Sequence, residues 1–481
     1  MMNMEDNLDL SEYRAQEEDT CRIIGITKHK YRGDFQRDRD RILYSKEFRR
    51  LSGKTQIFVT GSDDNIRTRL THTIEVAQIA ETISERLHLN SMLTRAIALG
   101  HDIGHTPFGH VGERTLNYVM NGCYGYHGYE NMPQEDKGFK HNLQSVRVAC
   151  SLEQNLDENN GGLNLTKYTL WGMMHHSELT YKKCEYCKGG SECRYKNNGK
   201  KCPGIFSVDY YNTLPYKPND KLDWTLEAVI VAYADEIAQK HHDLEDGIYA
   251  GIIDIEKICD CLTDTFKFDE KIISGVGNVL KKDKSHQIRE LSKIIVDSYV
   301  SAYSAVLFEQ FTKIISCLKL EGKNDWKENV YEYVSRQGKN IIKYFDFTDE
   351  FKKADNSFSE YLKNNILSSY LAQCMDGKAS YIIRQLVKAY LTNPQQLPDN
   401  TIISIIKDWD NIHSVTGTDA GKYMTEASKA RDRLKDLIKD DDYAIGRILL
   451  RRICDHIAGM TDQYAMSCFE RLYGSKGYEY R

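Results

Sequence analysis

Residues 68–113 read TRLTHTIEVAQIAETISERLHLNSMLTRAIALGHDIGHTPFGHVGE, and the spacing of their apolar positions decides the fold class. Between Thr73 and Leu87, Val76, Ala80, Ile83 and Leu87 recur at four- and three-residue steps, with Gln78, Glu81 and Glu85 between them, which predicts an amphipathic helix. A second helix is predicted from about Asn90 to Asp102, with Met92, Leu93, Ala96, Ile97 and Gly100 on one face. Gly104, Pro107 and Gly109 interrupt the period, Gly104 as a candidate left-handed helix terminus, and a third helix is predicted to start near His110.

The same period continues outward. Leu226 to Ala238 is apolar nearly all round and reads as a buried helix, and Leu449 to Met460 repeats the pattern through Leu450, Ile453 and Ile457. Alternation of period two is confined to short pieces such as Gln56 to Thr60. The expectation is an all-α fold with at most a minor hairpin. Loops are expected at Gly122 to Lys140, Asp157 to Asn164 and Lys182 to Asp220. In chain order this gives an acidic segment (1–27), a catalytic core (28–247) carrying a Cys-rich insertion (182–220), and a helical C-terminal region (248–481) completing the same unit.

Composition excludes several classes. The 481 residues are 41% hydrophobic and 28% charged, as in an ordinary globular chain rather than a disordered one. No stretch approaches the roughly 20 consecutive apolar residues of a membrane span. The first 20 residues hold seven carboxylates and one arginine, unlike a signal peptide, so a cytoplasmic location is expected. There the 13 cysteines are expected as thiols or metal ligands rather than disulfides. The net charge of −5 argues against a general nucleic-acid coat, yet Lys28 to Lys54 holds ten Lys/Arg against four Asp/Glu. Such a run reads as solvated helix surface unless anion chemistry lies nearby.

That chemistry is carried by histidine and aspartate. Five of the 15 histidines fall between His72 and His110. His72 opens one helix, His101 and Asp102 end the next, and Asp235 is a lone carboxylate on an apolar helix. An unpaired buried carboxylate is costly, and a cation shared by Asp235, His72, His101 and Asp102 would relieve it. This nitrogen and oxygen set, lacking thiolate, suits Mn²⁺, Mg²⁺, Fe²⁺, Co²⁺ or Zn²⁺. His105 falls in the turn close to that set. His110 and Glu113, three apart, share a helix face, where a carboxylate can fix an imidazole tautomer for acid–base work.

These residues carry a family resemblance. His72…His101-Asp102…Asp235 resembles the HD-domain metal phosphohydrolase signature. Longer matches run from Arg37-Asp-Arg-Asp-Arg-Ile through Thr68-Arg-Leu-Thr-His-Thr, His101 to Glu113, Phe139-Lys-His-Asn-Leu-Gln-Ser, Asp235-Glu-Ile-Ala and His242-Asp-Leu-Glu-Asp to Ile457-Ala-Gly-Met-Thr-Asp-Gln-Tyr. On them the chain is identified as a member of the deoxyguanosinetriphosphate triphosphohydrolase (dGTPase) family, related to the animal SAM-and-HD-domain dNTP triphosphohydrolase. The resemblance implies hydrolysis of a deoxynucleoside triphosphate, dGTP or dNTPs more broadly, to nucleoside and inorganic triphosphate by water attack on the α-phosphorus. It implies one divalent ion on His72, His101, Asp102 and Asp235. It assigns His110 as proton donor to the 5′ oxygen with Glu113 orienting it, His105 and His141 to the α-phosphate, Arg69 to the triphosphate, and Gln56 to the sugar 3′-hydroxyl. Asp243 should lie near the site. The family's tyrosine four residues after the aspartate is Gln239 here, which puts sugar discrimination in doubt. Hexamers, activation by a second dNTP and single-stranded DNA binding are further expectations of the resemblance.

Outside the matched pattern, Cys184-x2-Cys187-x5-Cys193-x8-Cys202 offers four thiols in 19 residues, enough for a tetrahedral structural Zn²⁺. The wide second pair keeps an iron–sulfur cluster or a reduced lobe open. Competing functions are an HD-type phosphodiesterase or nucleotidase recruiting His175 and His176 to a second ion, and a nucleotide- or single-strand-binding sensor.

Overall fold

The computed structural model describes residues 8–56, 67–126, 134–153, 162–179, 181, 211–212, 214–413, 427–439 and 443–474. The four-cysteine insertion lies outside them. The described residues are helical, with no strand among them and only two isolated bridges, Arg22 with Thr166 and Thr55 with Thr68. The all-α expectation holds. The principal helices are α1 (Asp34–Tyr44), α2 (Arg69–Arg86), α3 (Ser91–Gly100), α4 (Gly109–Met120), α5 (His141–Arg147), α6 (Lys167–His175), α7 (Leu226–Tyr249), α8 (Lys284–Leu318), α9 (Tyr370–Thr392), α10 (Asp399–Ile412), α11 (Tyr443–Ala458) and α12 (Asp462–Tyr473).

The chain forms two compact units, each discontinuous in sequence. The first holds residues 1–104, 145–178 and 215–374, and the second holds 105–144, 179–214 and 375–481. The division expected after residue 247 falls inside α7, because that helix continues unbroken to Tyr249.

In the first unit, α2 packs on α3 and α7, and α3 also meets α1 and α6. Side-chain caps set where these helices begin. A capping box between Thr68 and Thr71 starts α2, Asn90 caps α3, Thr166 caps α6 and Thr225 caps α7. The first turn of α2 therefore starts at Arg69 and carries His72. Nearly every residue from Leu226 to Ala234 is buried, as the continuous apolar run of α7 requires. Gly172 of α6 lets Ile97 approach so closely that a Cβ there would lie 2.7 Å from its side chain. Helix α8 has a window apolar enough, by length and composition, to cross a bilayer (mean hydropathy 1.2). Of that window 56% is buried, and α8 packs on α7, the pattern of a core helix.

In the second unit α4 packs against α11. The turn before α4 departs from the sequence expectation. Gly104 is not in the left-handed region; Phe108 and Gly109 are, both with φ of 60°. Phe108 is a strained position for a non-glycine residue, and its N–H is anchored by Asp462 Oδ1 at 2.8 Å from the start of α12.

Candidate functional site

Each unit brings titratable side chains together. In the first unit His72, His101 and Asp235 each bring a ligand atom within 4.8 Å of the others. Helix α2 supplies His72 from its first turn, the end of α3 supplies His101, and the middle of α7 supplies Asp235. The backbone after α3 is fixed by Ser145, whose hydroxyl donates to His101 O (2.7 Å) and accepts from Gly104 N (2.9 Å).

Tautomers follow from the fixed partners. His101 Nδ1 lies 2.6 Å from Ala98 O, a pure acceptor, so Nδ1 carries the proton and Nε2 holds the lone pair. That buried Nε2 has no hydrogen-bond partner among the described residues, yet faces Asp102 Oδ1 at 3.6 Å and Asp235 Oδ1 at 3.7 Å. A lone pair turned toward two carboxylates in a buried place is unfavourable unless a cation lies between them.

His72 repeats the pattern. His242 Nε2 donates to Glu75 Oε2, and His242 Nδ1 lies 3.0 Å from His72 Nδ1. Burial, helped by His241, His72 and Arg67 nearby, pushes the His242 imidazolium far below its usual range, so the ring is neutral and its Nδ1 accepts. His72 Nδ1 then donates, leaving His72 Nε2 as a lone pair 3.0 Å from Asp235 Oδ1. With both imidazoles neutral, Asp235 Oδ1 meets a lone pair from each ring and a donor from neither, so it too requires a positive partner. The four residues fit a divalent cation: neutral imidazoles with lone pairs inward, ionised carboxylates, and no thiolate.

Arg69, only 2% exposed, pairs with Asp102 through Nη1, while its Nε and Nη2 lack protein partners among the described residues. One side chain thus holds a ligand and keeps two donors available to an anion. Asp235, Gln239 and Asp243 follow at four-residue steps along one face of α7. Asp243 is buried with Oδ1 unpartnered among the described residues, and burial, with Asp246 adding to it, pushes its pKa up to about 8. Gln56 is half-buried, its Oε1 likewise without a partner among the described residues.

In the second unit, His105, His110, Glu113 and His141 also place ligand atoms within 4.8 Å of one another. The rings of His105 and His141 stack at 4.5 Å, and that of His110 stands 5.2 Å from His105 and 5.8 Å from His141. His110 is exposed; the other three are buried. Glu113 receives hydrogen bonds from the ring Nδ1 and backbone N–H of His141, from Lys140 Nζ (3.1 Å) and from Tyr181 Oη (2.6 Å). Burial opposes its ionisation, but His141 and Lys140 overcome that and hold it well below the usual range. The sequence reading paired Glu113 with His110; the structure adds His141 and Tyr181. No sequence period signals Tyr181, which lies 68 residues from Glu113. Glu75 and His242 were also missed as a pair, being 167 residues apart.

Two other expectations take definite form. Much of the basic run of 28–54 is engaged locally: Arg32 and Arg39 pair with Asp40, Arg37 with Asp34, Arg50 with Glu47, and Arg41 donates to the carbonyls of Leu163 and Asn164. His175 stacks on Trp171 and its Nε2 lies 3.6 Å from Asp220, whereas His176 stands edge-on to His101 with ring centroids 5.0 Å apart. The nine cysteines outside the insertion form no disulfide with one another.

Residues 69–240 match the HD domain, and residues 422–471 match the phosphohydrolase-associated domain. The chain is 31% identical over 471 residues to a deoxyguanosinetriphosphate triphosphohydrolase-like protein of Geobacter sulfurreducens, covering 97% of this chain and 95% of that one. Proteins of the same description from Thiobacillus denitrificans and Bradyrhizobium diazoefficiens are each 30% identical, over 92% and 94% of this chain and 91% and 94% of theirs.

Proposed function

Because the chain belongs to the dGTPase-like family of HD-domain hydrolases, we propose that it converts a deoxynucleoside triphosphate to deoxynucleoside and inorganic triphosphate. The observation that carries this reading is the buried His101 Nε2, its lone pair turned to Asp102 and Asp235. A divalent ion there, Mn²⁺ or Mg²⁺ in the first instance, would supply Lewis acidity to the α-phosphate and make a bound water more acidic.

The chain's own groups do the rest. Arg69 gives its two spare donors to the triphosphate while holding Asp102 in place. Gln56, Gln239 and Asp243 face the sugar, with Gln239 in place of an aromatic ring that would help exclude a ribose 2′-hydroxyl. His105 and His141 hydrogen-bond the α-phosphate oxygens as charge develops. The Glu113 carboxylate, ionised and linked to His141 Nδ1, fixes the orientation of that ring. His110, the exposed member, delivers a proton to the departing 5′ oxygen. A homo-oligomer, a second dNTP as activator and a single-stranded DNA ligand belong to the same reading.

The test is a product assay with each dNTP and rNTP, singly and in mixtures, with Mn²⁺ or Mg²⁺. Deoxynucleoside with intact triphosphate is the expected product pair, and turnover only in mixtures would identify an activator. Nucleoside monophosphate with pyrophosphate would instead establish a phosphodiesterase. His110→Ala is expected to lower kcat by about 10²–10⁴; turnover near wild type would remove His110 from the acid role.

A further inference from the structure

The first unit carries a hydrogen-bonded chain that the proposed reaction does not use. Glu75 lies on α2 three residues after His72, and His242 lies on α7 seven residues after Asp235. Glu75 Oε2 accepts from His242 Nε2, and His242 Nδ1 faces His72 Nδ1 at 3.0 Å. His242 is fully buried and His72 is 1% exposed, whereas Glu75 reaches partly into solvent. Arg67 Nε sits 3.3 Å from Glu75 Oε2 and pairs also with Glu245.

An imidazole can offer a metal only the nitrogen that lacks a proton, so a ligand histidine depends on what its other nitrogen meets. If His242 presented a donor to His72 Nδ1, the proton of a neutral His72 would sit on Nε2, toward Asp235, and close the site. Glu75 prevents this by taking the proton-bearing Nε2 of His242. We propose that Glu75 and His242 are positioning residues for metal capture, which act by holding His72 with its Nε2 lone pair turned to Asp235. The inference rests on the metal-site reading of His72, His101, Asp102 and Asp235.

Glu75, His241 and His242 also bring ligand atoms within 4.8 Å of one another, as an ion site of their own would. The Arg67 guanidinium already supplies positive charge beside Glu75, so one ion per chain is expected rather than two.

The experiment is calorimetric titration of Mn²⁺ into the metal-free full-length protein and into His242→Leu, His242→Asn and Glu75→Ala. Wild type should bind one ion per chain. His242→Leu should bind about 10- to 100-fold more weakly. His242→Asn offers a carbonyl acceptor to His72 Nδ1 and should stay within about threefold of wild type. Glu75→Ala, at a partly exposed position that should tolerate truncation, is expected to weaken binding several-fold even if a His242 variant fails to fold. Nitrogen-15 spectra of labelled histidine should place the His72 proton on Nδ1 in wild type and not uniquely so in Glu75→Ala. Binding by His242→Leu or Glu75→Ala equal to wild type would overturn the proposal while leaving the metal reading intact. Two ions in wild type, one lost in His242→Leu, would also overturn it and make the group an ion site. No Mn²⁺ uptake by wild type would overturn the metal reading itself.

Discussion

At the scale of single residues, the chemistry depends on which polar groups are buried beside which. His101 and His72 are ligand-ready because their outer nitrogens are committed to Ala98 O and His242, a relation no residue pattern near either histidine announces. Lys327 makes the same point for stability. Half-buried, with Nζ 3.8 Å from the centroid of the Tyr168 ring and 3.3 Å from Leu222 O, it loses hydration, and burial pushes its pKa down from 10.5 to about 8. Between pH 8 and 10.5 the unfolded chain therefore binds more protons than the folded one, and stability rises with pH. Below pH 8 the penalty is constant. Thermal melts across that window should show wild type gaining on Lys327→Met; a constant difference would place the ammonium in an environment like water.

At the scale of elements, helix starts deliver the functional groups. The Thr68–Thr71 capping box places Arg69 and His72 in the first turn of α2, which starts four residues before the Thr73 expected from apolar spacing, because polar capping groups rather than the apolar period select a helix N-terminus. The turn before α4 was read less well. Sequence alone put the left-handed residue at Gly104, the residue type that accepts it without cost, whereas Phe108 and Gly109 take that conformation. The reason is tertiary: Asp462, 354 residues away, anchors Phe108 N–H. Asp462→Ala should cost about 1–3 kcal/mol in a denaturant melt, the penalty of an orphaned buried donor, and lower kcat by disordering His105 and His110. Asp462→Asn, which keeps an acceptor oxygen, should lose less. Gly112 belongs to the same turn, since a Cβ there would lie 2.1 Å from Pro107 O; Gly112→Ala should destabilise by roughly 1–3 kcal/mol.

At the scale of the whole molecule, a ligand that binds only the folded chain raises its stability. Mn²⁺ at 100 times its dissociation constant should contribute about 2.7 kcal/mol. For a chain of 481 residues that corresponds to a melting shift of roughly 3 °C, abolished by chelation and absent in His101→Ala. An equal shift in His101→Ala would put the ion elsewhere. The helical class was legible in the sequence alone, and so were His72, His101, Asp102, Asp235, His105, His110 and Glu113 as candidates, because helix periodicity is local and several of these residues lie within one 46-residue stretch. Only the tertiary structure decided that residues 1–104 and 105–144 fall to different units, that Glu113 serves His141, and that Glu75 and His242 stand behind His72. These relations join positions 28 to 170 residues apart or divide neighbours in the chain. Burial and hydrogen bonding act through space, and a periodicity along the chain carries no record of them.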